Sequence, residues 1–260
     1  APAGLRPALC VVRQGAWLSG LETDDGTADE VIAFAESLRK LPIQVKECPG
    51  FLVNRLLMPY LNEAAFLLQE GCRIDHVDKV GLRFGMPMGP LHLLDVVGLD
   101  VAEKVADVLR DAFGDRMTPC PMFERMRKEG RLGQKNGRGF YIYSGRKKFP
   151  DEALYAAIPA DPRYANDAIC DRLILTMVNE AARALDEKIV EDAETVDVGM
   201  LLGTGFPPFR GGLLKYADDR GLQSIVDRLY ALSETHGARF APAESLVGLA
   251  RAGGRFHSEG

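Results

Sequence analysis

The chain has 260 residues, 47% of them hydrophobic and 27% charged, with a formal net charge of -5. That apolar share fills two compact cores, and the dispersed Lys and Arg, without any basic run, argue against a phosphate-backbone partner, so no nucleic acid is expected. No apolar stretch approaches the roughly 18 to 20 residues that span a bilayer, no secretory signal opens the chain, and five cysteines (Cys10, Cys48, Cys72, Cys120, Cys170), none in a Cys-x-x-Cys pair, read as reduced, buried small hydrophobes of an intracellular protein.

The first segment differs from the rest. Residues 8–12 and 43–46 are short runs with β-branched side chains, and Thr27-Ala-Asp-Glu30 has the capping-box spacing that opens a helix running to about Lys40. Strand, helix, strand predicts two parallel strands with a crossover helix, a piece of a wider sheet. After Cys48-Pro-Gly50 the period becomes helical. Val53, Leu56, Leu57, Tyr60, Leu61, Ala64, Leu67 and Leu68 place one amphipathic helix over about 52–70, with a kink expected at Pro59. Shorter helices follow at 74–84, 90–97, 101–113 and 121–129, ended by Gly71, Gly85, Gly98, Gly114 and Gly130. Residues 131–139 form a basic, Gly-rich loop, and 144–165, rich in charge and Pro, reads as a linker. Helices are then predicted near 167–187, 192–203, 211–219, 221–236 and 243–251.

Two stretches repeat one another 117 positions apart. Asn54-Arg-Leu-Leu-Met-Pro-Tyr-Leu-Asn-Glu-Ala-Ala65 and Asp171-Arg-Leu-Ile-Leu-Thr-Met-Val-Asn-Glu-Ala-Ala182 are identical at six of twelve positions. Each leads on to a Gly-Pro-rich corner, Gly85-Met-Pro-Met-Gly-Pro90 in the first copy and Gly205-Phe-Pro-Pro-Phe-Arg-Gly-Gly212 in the second. The helical part is therefore a tandem duplication, with copies at 49–144 and 166–255.

Chemical motifs are sparse. His76, His92, His236 and His257 lie apart, without metal-ligand spacing, so no metal is expected. Gly203-Thr-Gly205 has Pro208 where a dinucleotide fingerprint needs its third glycine, and a helix precedes it. Gly133-Gln-Lys-Asn-Gly137-Arg-Gly139 lacks the Gly-Lys-Ser/Thr ending of a phosphate loop and reads as a turn, although its cations leave an anionic ligand open. Asn54 is either the cap of the long helix or a placed amide donor, and helix physics alone favours the cap.

A family resemblance changes that balance. Cys48-Pro-Gly-Phe-Leu-Val-Asn-Arg-Leu-Leu-Met-Pro-Tyr-Leu-Asn-Glu-Ala64, Gly85-Met-Pro-Met-Gly-Pro-Leu-His-Leu-Leu-Asp-Val-Val-Gly-Leu-Asp100 and Gly133-Gln-Lys-Asn-Gly-Arg-Gly-Phe-Tyr141 resemble the C-terminal helical domain of L-3-hydroxyacyl-CoA dehydrogenases. The second copy, above all Gly203-Thr-Gly-Phe-Pro-Pro-Phe-Arg-Gly-Gly212, is similar to the last domain of multifunctional fatty-acid β-oxidation enzymes with hydratase and dehydrogenase parts. The resemblance implies a mainly α fold of two tandem dehydrogenase C-terminal-type helical domains (6-phosphogluconate dehydrogenase C-terminal-like). A strand-helix-strand remnant of an NAD-binding Rossmann domain at 1–48 would precede them. It implies NAD as the parent's cofactor, none for this piece, and an acyl-CoA substrate contacted by Asn54. It further implies that the copies pair as an intramolecular pseudo-dimer, in a bacterial cytoplasmic setting ahead of a mitochondrial or peroxisomal one. A thiolase partner is compatible with it, but no residue here supports one.

Departures from the pattern matter equally. The family's catalytic His falls upstream of residue 1, so no catalytic residue is expected within the chain. The Glu that holds that His falls on Cys10, and the Asn before Pro2 falls on Ala1. Asp171 occupies the Asn54 position in the second copy, which is therefore not expected to form a site, and Leu202 replaces a Tyr that some relatives carry. Two readings stand. One is the C-terminal part of an NAD-dependent 3-hydroxyacyl-CoA dehydrogenase, and the other is a non-catalytic helical acyl-CoA-binding or interaction module.

Overall fold

The computed structural model describes residues 7–12, 25–159 and 161–257, and Ala1 and Pro2 lie outside them. The chain divides into two compact units, one of residues 1–55, 178–226 and 243–260, the other of 56–177 and 227–242. Each holds most of one copy and a short piece of the other.

In the first unit, β1 (Pro7–Val12) and β2 (Leu41–Lys46) pair antiparallel, Pro7 opposite Lys46 and Val12 opposite Leu41. This corrects the parallel pair expected from sequence. The crossover rule holds for strands inside a wide parallel sheet; with two strands paired only with each other, nothing imposes a common direction, and the antiparallel ladder is the more stable per residue. Helix α1 (Asp25–Ser37) begins two residues before Thr27 and packs Val31 and Ile32 around buried Ala35. The Lys46 N–H donates to the Ile189 carbonyl at 2.8 Å, extending β2 beyond its strand partner. The unit also holds the first turn of α2 (Phe51–Gln69), the C-terminal part of α7 (Asn166–Asp186), α8 (Ala193–Thr204), α9 (Leu213–Arg220) and α11 (Glu244–Arg251).

The second unit carries the rest of α2, which continues through Pro59, then α3 (Ile74–Phe84), α4 (Pro90–Val97), α5 (Leu99–Phe113) and α6 (Pro121–Lys128). The end of α10 (Leu222–His236) belongs to it too. All five glycines predicted to stop the helices of the first copy have positive φ, the left-handed region that costs glycine least. The sequence reading missed a hairpin, β3 (Tyr141–Ser144) and β4 (Lys147–Pro150), whose turn and second strand fall in the stretch read as a linker. Its turn is Gly145-Arg146, and the charge of Lys147 and Lys148 hid a strand whose side chains are mostly exposed.

The duplication extends to buried hydrogen bonds. Asp78 accepts from the Leu91 and His92 N–H groups at 2.8 and 3.1 Å, capping α4, and Asp197 accepts from those of Leu214 and Lys215 at 2.6 and 3.1 Å, capping α9. Asp95 accepts from the Phe140 and Tyr141 N–H groups, and Asp218 from those of Phe256 and His257. Asn62 and Asn179 accept from the Cys120 and Ala243 N–H groups at the starts of α6 and α11. Gly89 and Gly212 are required here, because an added Cβ would stand 2.3 and 2.2 Å from the carboxylate carbons of Asp78 and Asp197. Burial pushes the Asp78 and Asp95 carboxyls up to about 6 despite these donors.

Buried arginines follow the same rule. In the first unit Arg55, fully buried, pairs with Glu180 and Glu187, at 2.7 and 2.8 Å. In the second, Arg172 pairs with Glu63 and reaches Glu70 at 2.5 Å, while Arg239 closes on the other Glu63 oxygen at 2.7 Å. Burial raises the Glu63 carboxyl even against both arginines. Replacing Arg172 by Met is expected to cost about 3 to 5 kcal/mol in denaturant unfolding at pH 7, because it strands buried carboxylates. In that variant the folded-state carboxyl pKa rises above the unfolded one, so the folded chain binds the proton first and stability returns as pH falls toward 5. Unfolding curves at both pH values check this, and a deficit that does not narrow contradicts it.

Candidate functional site

The first turn of α2 is where the sequence placed Asn54. The chain enters it through Cys48-Pro-Gly50, with the Phe51 N–H donating to the Cys48 carbonyl and the Arg55 N–H to that of Gly50. Gly50 takes φ 78° and Phe51 φ 49°. For a residue with a Cβ that conformation costs roughly 1 to 3 kcal/mol, and such strain persists only where surrounding packing over-determines it.

The packing around this turn supplies that constraint. Leu52 is fully buried and lies against α8 at Gly199, where an added Cβ would be 3.1 Å from its Cδ2. Val53 is half-buried against Gly203, whose added Cβ would stand 2.8 and 2.9 Å from its two methyls. Arg55 is buried in its carboxylate pair; burial opposes its charge, and Glu187 and Glu180 raise its pKa in spite of that. Cys48 is buried beside Arg55, and its thiol is pushed up by burial, which keeps it protonated and unreactive.

Asn54 alone in this turn points outward. It is exposed, inside the helix rather than at its cap, and no described residue hydrogen-bonds its amide. The capping alternative therefore fails on geometry, since a capping residue has non-helical dihedrals and accepts from N–H groups further along. Its counterpart Asp171 differs, held at 2.8 Å by the Arg228 Nε. That ion pair occupies the carboxylate.

The other residues singled out from sequence have structural partners. In the Gly133–Gly139 loop, Arg131 and Arg138 both reach Asp151, Arg131 also reaches Glu129, and Lys135 pairs with Asp100. Gly133 and Gly139 lie against Asp95, which an added Cβ would overlap, so this is a turn built around Asp95. His76 meets Asn166 and His92 stacks on Tyr143. Burial and Arg172 lower His236 to about 4, leaving a neutral ring 3.7 Å from Glu70. His257 bridges Asp218 and Asp197 at 3.0 and 3.2 Å, as Tyr141 bridges Asp95 and Asp78 in the first copy. Sequence reasoning missed these buried latches, although Val77-Asp78 and Val196-Asp197 lie one turn into matching helices.

Among the described residues no group of three His, Cys, Asp or Glu is arranged to hold a metal ion, and no helix is long and apolar enough to cross a membrane. The Gly203-Thr-Gly205 segment does not form a dinucleotide-binding turn. Gly203 and Gly205 sit at the C-terminal end of α8, where orphan carbonyls and the negative dipole end repel a pyrophosphate. Cys10 lies in β1 opposite Ile43, and Leu202 is exposed on the last turn of α8.

Comparison with known proteins places this geometry. Residues 50–143 match the model of the 3-hydroxyacyl-CoA dehydrogenase C-terminal domain. The fatty acid oxidation complex subunit alpha of Idiomarina loihiensis is 43% identical over 248 residues, and that of Shewanella loihica 40% identical over 240, covering 92% and 91% of this chain. The chain spans about a third of the length of these relatives, 35% and 34%. The solved structure of 3-hydroxybutyryl-CoA dehydrogenase from Escherichia coli superimposes with a TM-score of 0.73 at 23% identity, over 90% of this chain and 66% of that one, a likeness of fold.

Replacing Asn54 by Ala is expected to change the unfolding free energy by less than about 0.5 kcal/mol, as for an exposed side chain without partners. A loss of about 1 kcal/mol or more in denaturant unfolding would restore the capping role.

Proposed function

Residues 50–143 belong to the 3-hydroxyacyl-CoA dehydrogenase C-terminal domain family, and from that premise we propose that the chain is the helical, substrate-binding part of an NAD-dependent dehydrogenase of fatty-acid β-oxidation. The reaction is oxidation of a (S)-3-hydroxyacyl-CoA to the 3-ketoacyl-CoA. The observation that carries this reading is the Asn54 amide, exposed and without a described partner on a turn whose other side chains are fixed. An amide N–H so held donates to the thioester carbonyl oxygen of an acyl-CoA and orients the carbon chain beside it.

In this reading residues 1–48 are the remnant of the cofactor domain, and 49–144 and 166–255 are the two helical copies. The cofactor and the catalytic base are supplied by a longer protein, of the length its relatives have. Pairing of the copies as an internal pseudo-dimer is supported by the reciprocal ion pairs, in which Arg55 of the first copy takes Glu180 and Glu187 and Arg172 of the second takes Glu63 and Glu70. The bacterial relatives support a cytoplasmic setting. A thiolase partner has no support in the residues.

The second reading, a non-catalytic acyl-CoA-binding or interaction module, is favoured by Cys10 at the position of the carboxylate that would hold the base. Its thiol lacks the charge of a carboxylate.

The test is kinetic, in the longer protein. Asn54→Ala is expected to lower turnover of 3-hydroxyacyl-CoA by about 10- to 1000-fold, the range for removal of a donor at a developing charge, while Asp171→Ala leaves it unchanged. Acyl-CoA binding without turnover by the unsubstituted protein selects the second reading. The isolated 260-residue chain is expected neither to bind NAD at micromolar concentration by calorimetry nor to turn over substrate, and either activity contradicts the division of labour.

A further inference from the structure

Asn54 belongs to the first copy, but most of what holds it belongs to the second. On one side Val53 rests on Gly203, and Leu52 before it on Gly199, two glycines one helical turn apart on the same face of α8. On the other side Arg55 is buried against the carboxylates of Glu180 on α7 and Glu187 just past its end. Resting on the reading of Asn54 as the substrate's amide donor, we propose that Gly203 is a positioning residue for the dehydrogenase reaction, fixing through Val53 where the Asn54 amide meets the thioester oxygen. The second copy then serves the reaction as the seat of the first copy's donor, although its own equivalent position, Asp171, is closed by Arg228.

Steric detail gives the inference its direction. An alanine Cβ at position 203 would come within 3.0 Å of both Val53 methyls, and a distance so short forces movement. Val is β-branched and stiff, and because both methyls are contacted, turning its side chain merely exchanges one for the other. The displacement therefore passes to the backbone of α2 at the residue before Asn54. Without its two methyls the nearest Val53 atom to that Cβ is its own Cβ at 3.5 Å, an ordinary contact. Gly203 itself is exposed, so packing elsewhere does not demand the absence of a side chain there. The approach of Val53 does.

The experiment is a set of variants of the longer, active protein, assayed for kcat and KM with a 3-hydroxyacyl-CoA. Gly203→Ala is expected to lower kcat by about tenfold or more, as a misplaced donor does, with a smaller change in KM. Adding Val53→Ala to it restores kcat to within about threefold of the parent. In an Asn54→Ala background Gly203→Ala costs nothing further, because the two act through one hydrogen bond. A purely structural role for Gly203 would lower activity equally in both backgrounds. A folded Gly203→Ala protein with parental kcat overturns the proposal, and so does a folded double variant as slow as Gly203→Ala alone. Should Gly203→Ala not fold, the double variant carries the decision by its kcat in the same way. Parental kinetics in Asn54→Ala alone sinks the reading of Asn54 itself, whereas a slow Asn54→Ala with a normal Gly203→Ala sinks only this inference.

Discussion

Two buried arginines govern the arrangement of this chain. Arg55 and Arg172 hold equivalent positions in the repeated segment, and each finds two carboxylates seven residues apart, Glu180 on α7 and Glu187 just past its end for one, Glu63 on α2 and Glu70 just past its end for the other. Residues seven apart lie two turns along one helix face, so a single guanidinium reaches both. A charge taken from water is tolerated only where its partners are in place, and the desolvation cost is several kcal/mol per ion when they are not. The arginines therefore specify more than they stabilise, since an α2 set against any other surface would bury Arg55 unpaired. Each copy supplies the cation for the carboxylates of the other, a self-complementary exchange of the kind two-fold contacts produce.

Around this exchange the copies keep a shared frame and diverge at its surface. The Asp78 and Asp197 caps, the Asp95 and Asp218 latches and the Asn62 and Asn179 brackets are the same bonds made twice. One position shows how far chemistry changes while the task stays the same. Tyr141 ties Asp95 to Asp78 with its backbone N–H and its hydroxyl, and His257 ties Asp218 to Asp197 with its backbone N–H and its ring. Positions outside that frame are under no such constraint, and exposed Asn54 has an amide without a described partner where half-buried Asp171 has an ion pair with Arg228. Symmetry in the buried frame with asymmetry at one exposed amide is consistent with the single site proposed for Asn54.

The helices were legible because their signals are local. Apolar spacing placed α2, α3, α4 and α6 within a residue at each end, and Gly85 and Gly98 stop their helices with the expected positive φ. Strand direction was not legible, because the order strand-helix-strand is compatible with either ladder and only the pairing of Cys10 with Ile43 and its neighbours decides it. The hairpin at 141–150 escaped because its outer strand is Lys147-Lys-Phe-Pro150, too charged to read as sheet. The buried polar network was present in the letters without being read. Three of the six positions kept in the repeated segment are Arg, Asn and Glu, and these are the side chains that pair or bracket the helices. A repeat that preserves charged residues at core spacing marks buried ion pairs, because solvent-facing charges need no fixed position. Asn54 could not be resolved between cap and donor from spacing, since both sit near a helix start; its place inside α2 speaks against the cap.

What remains is why the proposed donor should sit on a strained turn at all. Successive residues of that turn face different surroundings, Leu52 the core, Val53 the glycine face of α8, Asn54 solvent and Arg55 the Glu180 and Glu187 carboxylates. None of them moves without dislodging its neighbours. A hydrogen bond accelerates a reaction only if its donor is already aimed where charge develops, because a mobile amide spends the interaction on its own ordering. The left-handed backbone at Gly50 and Phe51 is the cost of entering the helix at the angle these anchors impose. Three anchored neighbours in four residues fix the backbone at Asn54, and in the proposed function rigidity that looks excessive for a surface asparagine is what positioning a thioester demands.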